Sequence, residues 1–449
     1  MAAGSDLQLS APETAAAVRD GRLTSQELIE ACLKRIEARE PEVQAWAFLD
    51  PEHALKQARA ADEWRKRGRP LGPLHGLPVG VKDIVDTADM PTENGTVLHA
   101  GRRPRQDATL VSLLRAAGAL ILGKTVTTEL AVYAPNKTRN PHDLERTPGG
   151  SSSGSAAAVA DGMVPVAIGT QTNGSVIRPA SFCGVYGFKP SHGLIPRTGV
   201  LTQSPPLDTV GVMAADLEGL ALLAEPLLAF DAKDPDTRPR ARPDLLAVLR
   251  EPPPAPPKLA FVRSPVWDQA AEDTKAGFTE LAEALGERAE AVELPAMFGE
   301  AIALHGTIMQ ADLAKSFARE YERGRDRLSS RLREMIERGQ EIRAVDYNRA
   351  VERAAVLNAA LDELFTRHDA ILTPAAPGEA PSGLGSTGSP VFCTTWTLCG
   401  VPAVTLPLLR GASGMPIGVQ LVGMKGDDAR LLRTARWLIE TVQTSGSAG

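Results

Sequence analysis

Three residues of this chain are of types that could act together on an acyl group. They are Lys82 in Gly80-Val81-Lys82-Asp83, Ser151 in a Gly-Gly-Ser-Ser-Ser-Gly-Ser run, and Ser175 in Gln171-Thr172-Asn173-Gly174-Ser175-Val176-Ile177-Arg178. A serine hydroxyl is a poor nucleophile until a base takes its proton, and a neutral lysine amine is such a base. At an ordinary pKa of about 10.4 that amine would be neutral roughly once in 2,500 molecules at pH 7. Lys82 lies inside an apolar run, Leu77 to Val85, where burial disfavours the charged form. The chemistry on offer is a lysine-driven serine attack on a C–N acyl bond. Singly, each signal has an ordinary reading: most lysines are solvated, and most Gly/Ser runs are linkers. Here the Ser151 run leads straight into the helix-forming stretch Ala156 to Ala160. N–H groups at such a helix start stabilise negative charge. Ser175 follows Gly174, and a glycine lets backbone approach a ligand closely.

The elements that must position these residues are legible in outline. Thr24-Ser25-Gln26-Glu27 is a capping box followed by Leu28, Ile29, Leu33 and Ile36 on one helical face, so residues 1–65 are expected to be helical. Short apolar runs at Leu77 to Val81, Ala119 to Leu122 and Val164 to Ile168 alternate with helix-like stretches such as Asp107 to Ala117. That is the pattern of buried strands in an α/β core, expected over residues 66–230. A proline-rich stretch within 231–257, ending Pro252-Pro253-Pro254-Ala255-Pro256-Pro257, reads as an exposed connector. Residues 258–368 open with a strand at Leu259 to Val262 and continue as charged amphipathic helix from Ala296 to Phe365. Strand texture returns over 369–440, at Ala370 to Thr373, Ala403 to Pro407 and Ile417 to Val422. The expectation is one domain over 1–449, a large mixed twisted sheet flanked by helices.

Composition excludes several function classes. The net charge of −6, without long like-charged runs, offers no surface for a polyanion or an acidic membrane, so neither nucleic acid nor membrane is expected as a partner. Four scattered cysteines form no disulfide framework, and Met1 to Pro12 has neither a basic nor an apolar leader segment, so a cytoplasmic location is expected. The seven histidines show no metal-ligand spacing, and neither metal nor cofactor is called for. Gly118-Ala119-Leu120-Ile121-Leu122-Gly123-Lys124-Thr125 satisfies the phosphate-loop pattern letter for letter. Its interior reads as a strand and a helix-like segment precedes it, which is the wrong context for an anion cradle.

The segment Gly76 to Phe230 resembles the amidase signature family, and the C-terminal Leu372-Thr373-Pro374, Gly400-Val401-Pro402-Ala403 and Gly418 to Gly423 extend the resemblance. In motif it is similar to the malonamidase-like and aryl acylamidase branch. The resemblance implies that Ser175 is the nucleophile, Ser151 a bridging serine preceded by a cis peptide bond, and Lys82 the ultimate base. It implies an oxyanion hole from the backbone N–H groups of Thr172, Asn173, Gly174 and Ser175. Ser152, Thr170, Gln171 and Arg178 are expected to bind substrate or brace the loops. Where the family commonly has Asp-Thr-Gly-Gly-Ser-Ile-Arg, this chain has Gln171, Asn173 and an arginine one place later. Asn173 in place of glycine suits a position of positive φ, and its amide is available to contact substrate. Arg178 has two roles open to it, gripping a substrate carboxylate or bracing the nucleophile loop.

The function implied is an amidohydrolase acting on small linear amides, with anilides and carbamates included, and a homodimer is open to it. The alternatives are a malonamidase-like hydrolase of carboxylate-bearing amides, the catalytic subunit of a tRNA-dependent amidotransferase, and a non-catalytic binding protein of the same fold. The helices around Ala301 to Phe317 and the loop from Gly378 to Phe392 are expected to wall the pocket.

Overall fold

The computed structural model describes residues 10–446; the first nine residues, part of the segment read above as leaderless, lie outside it. Among the described residues eleven strands form one sheet: β1 (Trp46–Leu49), β2 (Pro78–Lys82), β3 (Leu120–Thr125), β4 (Val166–Gln171), β5 (Tyr186–Lys189), β6 (Thr209–Ala214), β7 (Leu259–Val262), β8 (Ala289–Val292), β9 (Ala370–Pro374), β10 (Ala403–Arg410) and β11 (Pro416–Val422). Their order is β1-β3-β2-β4-β6-β5-β10-β11-β9-β7-β8. Two parallel trios, β3-β2-β4 and β9-β7-β8, flank an antiparallel centre. This is the expected α/β class with a mixed sheet.

Every side chain of β2 and β4 is buried, because helices cover both faces of the sheet there. That accounts for unbroken apolar runs in place of alternation. The pairing is parallel, with Val81 opposite Ile168, so both strands end at the same edge. There the buried run stops being apolar: β2 ends in Lys82, and β4 in Thr170 and Gln171. The helix Ser153–Ala160 packs tightly onto this edge, and a Cβ at Gly154 would stand 2.2 Å from Ala45 O and 2.3 Å from Val126 N.

Two expectations need correction. The N-terminal segment is helical over Ala11–Arg19, Ser25–Val43 and Pro51–Lys66, yet it also supplies β1, whose four residues are too few to register as a pattern. The connector is not wholly exposed. Within it the helix Leu245–Arg250, capped by Asp244, buries Leu245 and Leu249 against the core. The charged helical stretch is four helices, Ala301–Ser316, Ala318–Gly324, Ser330–Gln340 and Ala344–Phe365, over their own apolar cluster. The phosphate-loop look-alike is β3, and its Lys124 is wholly buried. Its Nζ donates to Val85 O and Thr92 Oγ1 and pairs with Asp83 Oδ1 at 3.3 Å, so no anion cradle exists.

Candidate active site

Lys82, fully buried at the end of β2, has its Nζ 2.7 Å from Ser151 Oγ and 2.8 Å from Thr170 Oγ1. Burial pushes the amine well below its usual pKa, opposed by the carboxylate of Asp208. A neutral amine carries a lone pair as well as two hydrogens. It can therefore donate to Thr170 while receiving the proton of Ser151. The Gly150–Ser151 peptide bond is cis.

The groups expected to bind substrate or brace loops prove to be tied into that scaffold. Arg178, also fully buried, donates from one terminal nitrogen to Gly150 O, the carbonyl of the cis bond, and from the other to Gly388 O, each at 2.5 Å. Among the described residues no carboxylate pairs with it, and its Nε is buried without a partner. Gln171 Oε1 accepts from Val176 N at 2.8 Å and Ile177 N at 3.0 Å, while its Nε2 donates to Thr397 Oγ1. An amide thus does at this position what an aspartate alone could not, since it accepts at one end and donates at the other. Ser152 Oγ sits 3.2 Å from both the N and the O of Thr170, stitching the Ser151 turn to β4.

Ser175 stands at the turn from β4 into the helix Ile177–Phe182, nearly buried at 9% exposure. Its Oγ makes no hydrogen bond to the described residues, and neither do the N–H groups of Asn173, Gly174 and Ser175. These donors are left for something else. The expected positive φ at Asn173 is not observed. The chain turns here through ordinary negative φ, and Gly174 is required for closeness instead: a Cβ on it would lie 2.8 Å from Pro390 Cβ. Nor is the Asn173 amide free for substrate. Its Nδ2 donates to Tyr133 Oη at 2.9 Å and its Oδ1 accepts from Thr394 Oγ1 at 2.7 Å.

Sequence reasoning missed Tyr133, Asp208, Thr394 and Thr397. Asp208 is half-buried and takes hydrogen bonds from Thr172 Oγ1 at 2.5 Å, Gln203 N at 2.8 Å and Ser204 N at 3.0 Å. Burial outweighs these bonds and raises its carboxyl to about 6. A cavity of about 290 Å³ reaches this layer, with Thr170, Thr172, Gln203 and Asp208 in its wall. The one local signal for Asp208 was its place immediately before the apolar β6 run.

The amidase family's sequence profile matches residues 27–432 of the chain. A glutamyl-tRNA(Gln) amidotransferase subunit of Chloroflexus aggregans is 35% identical, over 95% of this chain and 94% of its own length. The putative amidase AmiD of Mycobacterium tuberculosis is also 35% identical, over 95% of this chain and 92% of its own. Among solved structures, the peptide amidase of Stenotrophomonas maltophilia superposes with a TM-score of 0.83 at 29% identity, covering 97% of both chains.

Proposed function

This chain belongs to the amidase family, enzymes that hydrolyse C–N bonds, and on that premise we propose that it cleaves small linear amides through Lys82, Ser151 and Ser175. The observation that carries the reading is the contact between the Ser151 hydroxyl and a buried Lys82 amine whose pKa that burial lowers. Neutral Lys82 takes the proton of Ser151, Ser151 takes that of Ser175, and Ser175 Oγ adds to the carbonyl carbon. The negative charge that builds on the carbonyl oxygen is met by the unengaged N–H groups of the 172–175 loop. When the C–N bond breaks, the relay runs in reverse and hands its proton to the leaving nitrogen, because an amide anion is not a viable leaving group. Water then attacks the acyl enzyme by the same route.

Anilides and carbamates fall within this reading. A carbamate carbonyl is the less electrophilic of the two, so it depends more on the oxyanion donors. Arg178, with both terminal nitrogens on backbone carbonyls, is assigned to bracing the cis turn. Its lack of a carboxylate partner favours a second reading, in which a substrate carboxylate supplies the missing charge. The relative from Chloroflexus aggregans favours a third, in which this chain is the amide-cleaving part of an amidotransferase. Buried cysteines and small substrates suit a cytoplasmic location.

The test is release of 4-nitroaniline from short acyl anilides by the purified chain, beside Ser175→Ala, across pH 6 to 10. Turnover abolished by Ser175→Ala supports the proposal. Equal turnover in the two proteins removes Ser175 from the chemistry. Turnover by the chain alone also argues against a requirement for other chains.

A further inference from the structure

The three peptide units that lead into Ser175 are each held by the carbonyl end. Thr172 O accepts from His305 Nε2 at 2.9 Å, Asn173 O from Thr397 Oγ1 at 2.5 Å, and Gly174 O from Arg178 N at 3.0 Å. In a trans peptide the C=O and the following N–H point in opposite directions. A carbonyl tied on one side therefore aims the next residue's N–H at the other side. The three N–H groups so aimed, on Asn173, Gly174 and Ser175, have no partner among the described residues. Two of these ties come from the framework around the nucleophile: Arg178 N from the helix that follows Ser175, and Thr397 from the helix Val391–Leu398. The third is different. His305 is carried by the helix Ala301–Ser316, far from every sequence motif of the site, 133 residues from Thr172.

We propose that His305 is a positioning residue of the oxyanion hole: its Nε2–H holds the Thr172 carbonyl, and so points the Asn173 N–H at the oxygen of the scissile carbonyl. This rests on the reading of Ser175 as nucleophile and of its loop as the oxyanion site. A carbonyl can only accept, so the bond fixes the tautomer with hydrogen on Nε2. Burial lowers the imidazole to about 4, which keeps that neutral donor in place throughout the working range. The side chain of the same residue, Asn173, is locked by Tyr133 and Thr394, so the two restraints fix the donor's direction and its position together. The helix that contributes His305 also packs Met309 near Tyr133 Oη. The helical segment outside the motifs is thereby wired into the chemistry and does more than wall a pocket.

The test compares His305→Gln, whose Nε2 reaches where the imidazole Nε2 reaches, with His305→Asn, whose shorter amide does not. Each is reacted with an alkyl fluorophosphonate, which phosphonylates an activated serine with loss of fluoride through a transition state that places negative charge on the phosphoryl oxygen. The probe needs no knowledge of the natural substrate. His305→Asn should lower the maximal labelling rate 10- to 100-fold with the half-saturating probe concentration within threefold of wild type, and His305→Gln should stay within fivefold of wild type in both. Melting temperatures taken in parallel separate a lost fold from a misaimed donor. Equal labelling by Asn, Gln and wild type overturns the proposal, as does equal loss in both variants at unchanged melting temperature. Labelling of wild type that survives in Ser175→Ala, or no labelling of wild type, overturns the nucleophile reading and this proposal with it. Labelling lost in Ser175→Ala but unchanged in His305→Asn overturns this proposal alone.

Discussion

Replacing Lys82 with methionine should abolish activity and, at neutral pH, relieve the fold of a burden. The amine is fully buried and its pKa is lowered well below the ordinary 10.5 by desolvation, so the folded chain gives up this proton at a lower pH than the unfolded chain does. The sign follows. For a lysine depressed in the folded state, the unfolded chain binds more protons between the folded pKa and 10.5, and stability rises with pH across that window. Each unit is worth 1.36 kcal/mol, so at pH 7 the cost reaches at most about 5 kcal/mol. Methionine fills a similar volume without the cost, but it leaves the Ser151 and Thr170 hydroxyls without their shared partner, a loss of about 1–3 kcal/mol for each hydroxyl left unsatisfied. The variant should therefore match or exceed wild-type stability at pH 6–7 and fall below it towards pH 10, where the lysine penalty has gone. Loss of the base should lower kcat by about 10³-fold or more, at or above 4 kcal/mol of barrier. Urea unfolding of both proteins at unit intervals from pH 6 to pH 10, with anilide turnover alongside, reads both quantities. A stability difference that does not change with pH would show that Lys82 keeps its proton in the fold, and the lysine-base mechanism would fall with it.

Three further outcomes follow from other contacts. Gln171→Leu removes the acceptor that holds Val176 N and Ile177 N; kcat should fall about 10- to 100-fold with stability lower by about 1–3 kcal/mol in denaturant unfolding, and Gln171→Glu should restore only part of the loss because it cannot donate to Thr397. Arg178→Met frees Gly150 O and Gly388 O; an equal loss of kcat/KM on neutral and carboxylate-bearing amides supports bracing, and a loss at least tenfold greater on the anionic series supports a substrate grip. Lys124→Met leaves Asp83 buried and unpaired, so it should destabilise the fold by about 3–5 kcal/mol, while calorimetry with ATP and Mg²⁺ should show no binding to wild type.

What the sequence disclosed and what it withheld divide along a physical line. Lys82, Ser151 and Ser175 were readable because each sits in a local pattern, an apolar run or a glycine-rich turn, that their immediate neighbours create. β2, β3, β4 and β7 were readable because burial on both faces writes an unbroken apolar run. β8 escaped notice because it is a sheet edge whose four residues are half-buried or exposed, and the helix Leu245–Arg250 because prolines and charges flank it on both sides. Tyr133, Asp208, His305 and Thr397 were out of reach for another reason. Each meets the 171–175 loop only through tertiary contact, over separations of 36 to 224 residues. A polar residue distant in sequence carries no local mark of the carbonyl or amide it will satisfy. The mistaken positive φ at Asn173 came from judging a residue type without the clamps around it.

The strand order also governs how the molecule comes into being. β5 is completed by β10, with Lys189 opposite Ala403, so the β5 edge must wait for more than two hundred further residues to be synthesised. At typical translation rates that wait is about 10–40 s, during which the edge presents the open backbone that invites pairing with other chains. The hydroxyls of Thr394 and Thr397, which clamp the loop beside Ser175, arrive within the same late stretch. A nascent chain thus carries Lys82, Ser151 and Ser175 long before the threonines that clamp the 171–175 loop and the strands that close the sheet have been made.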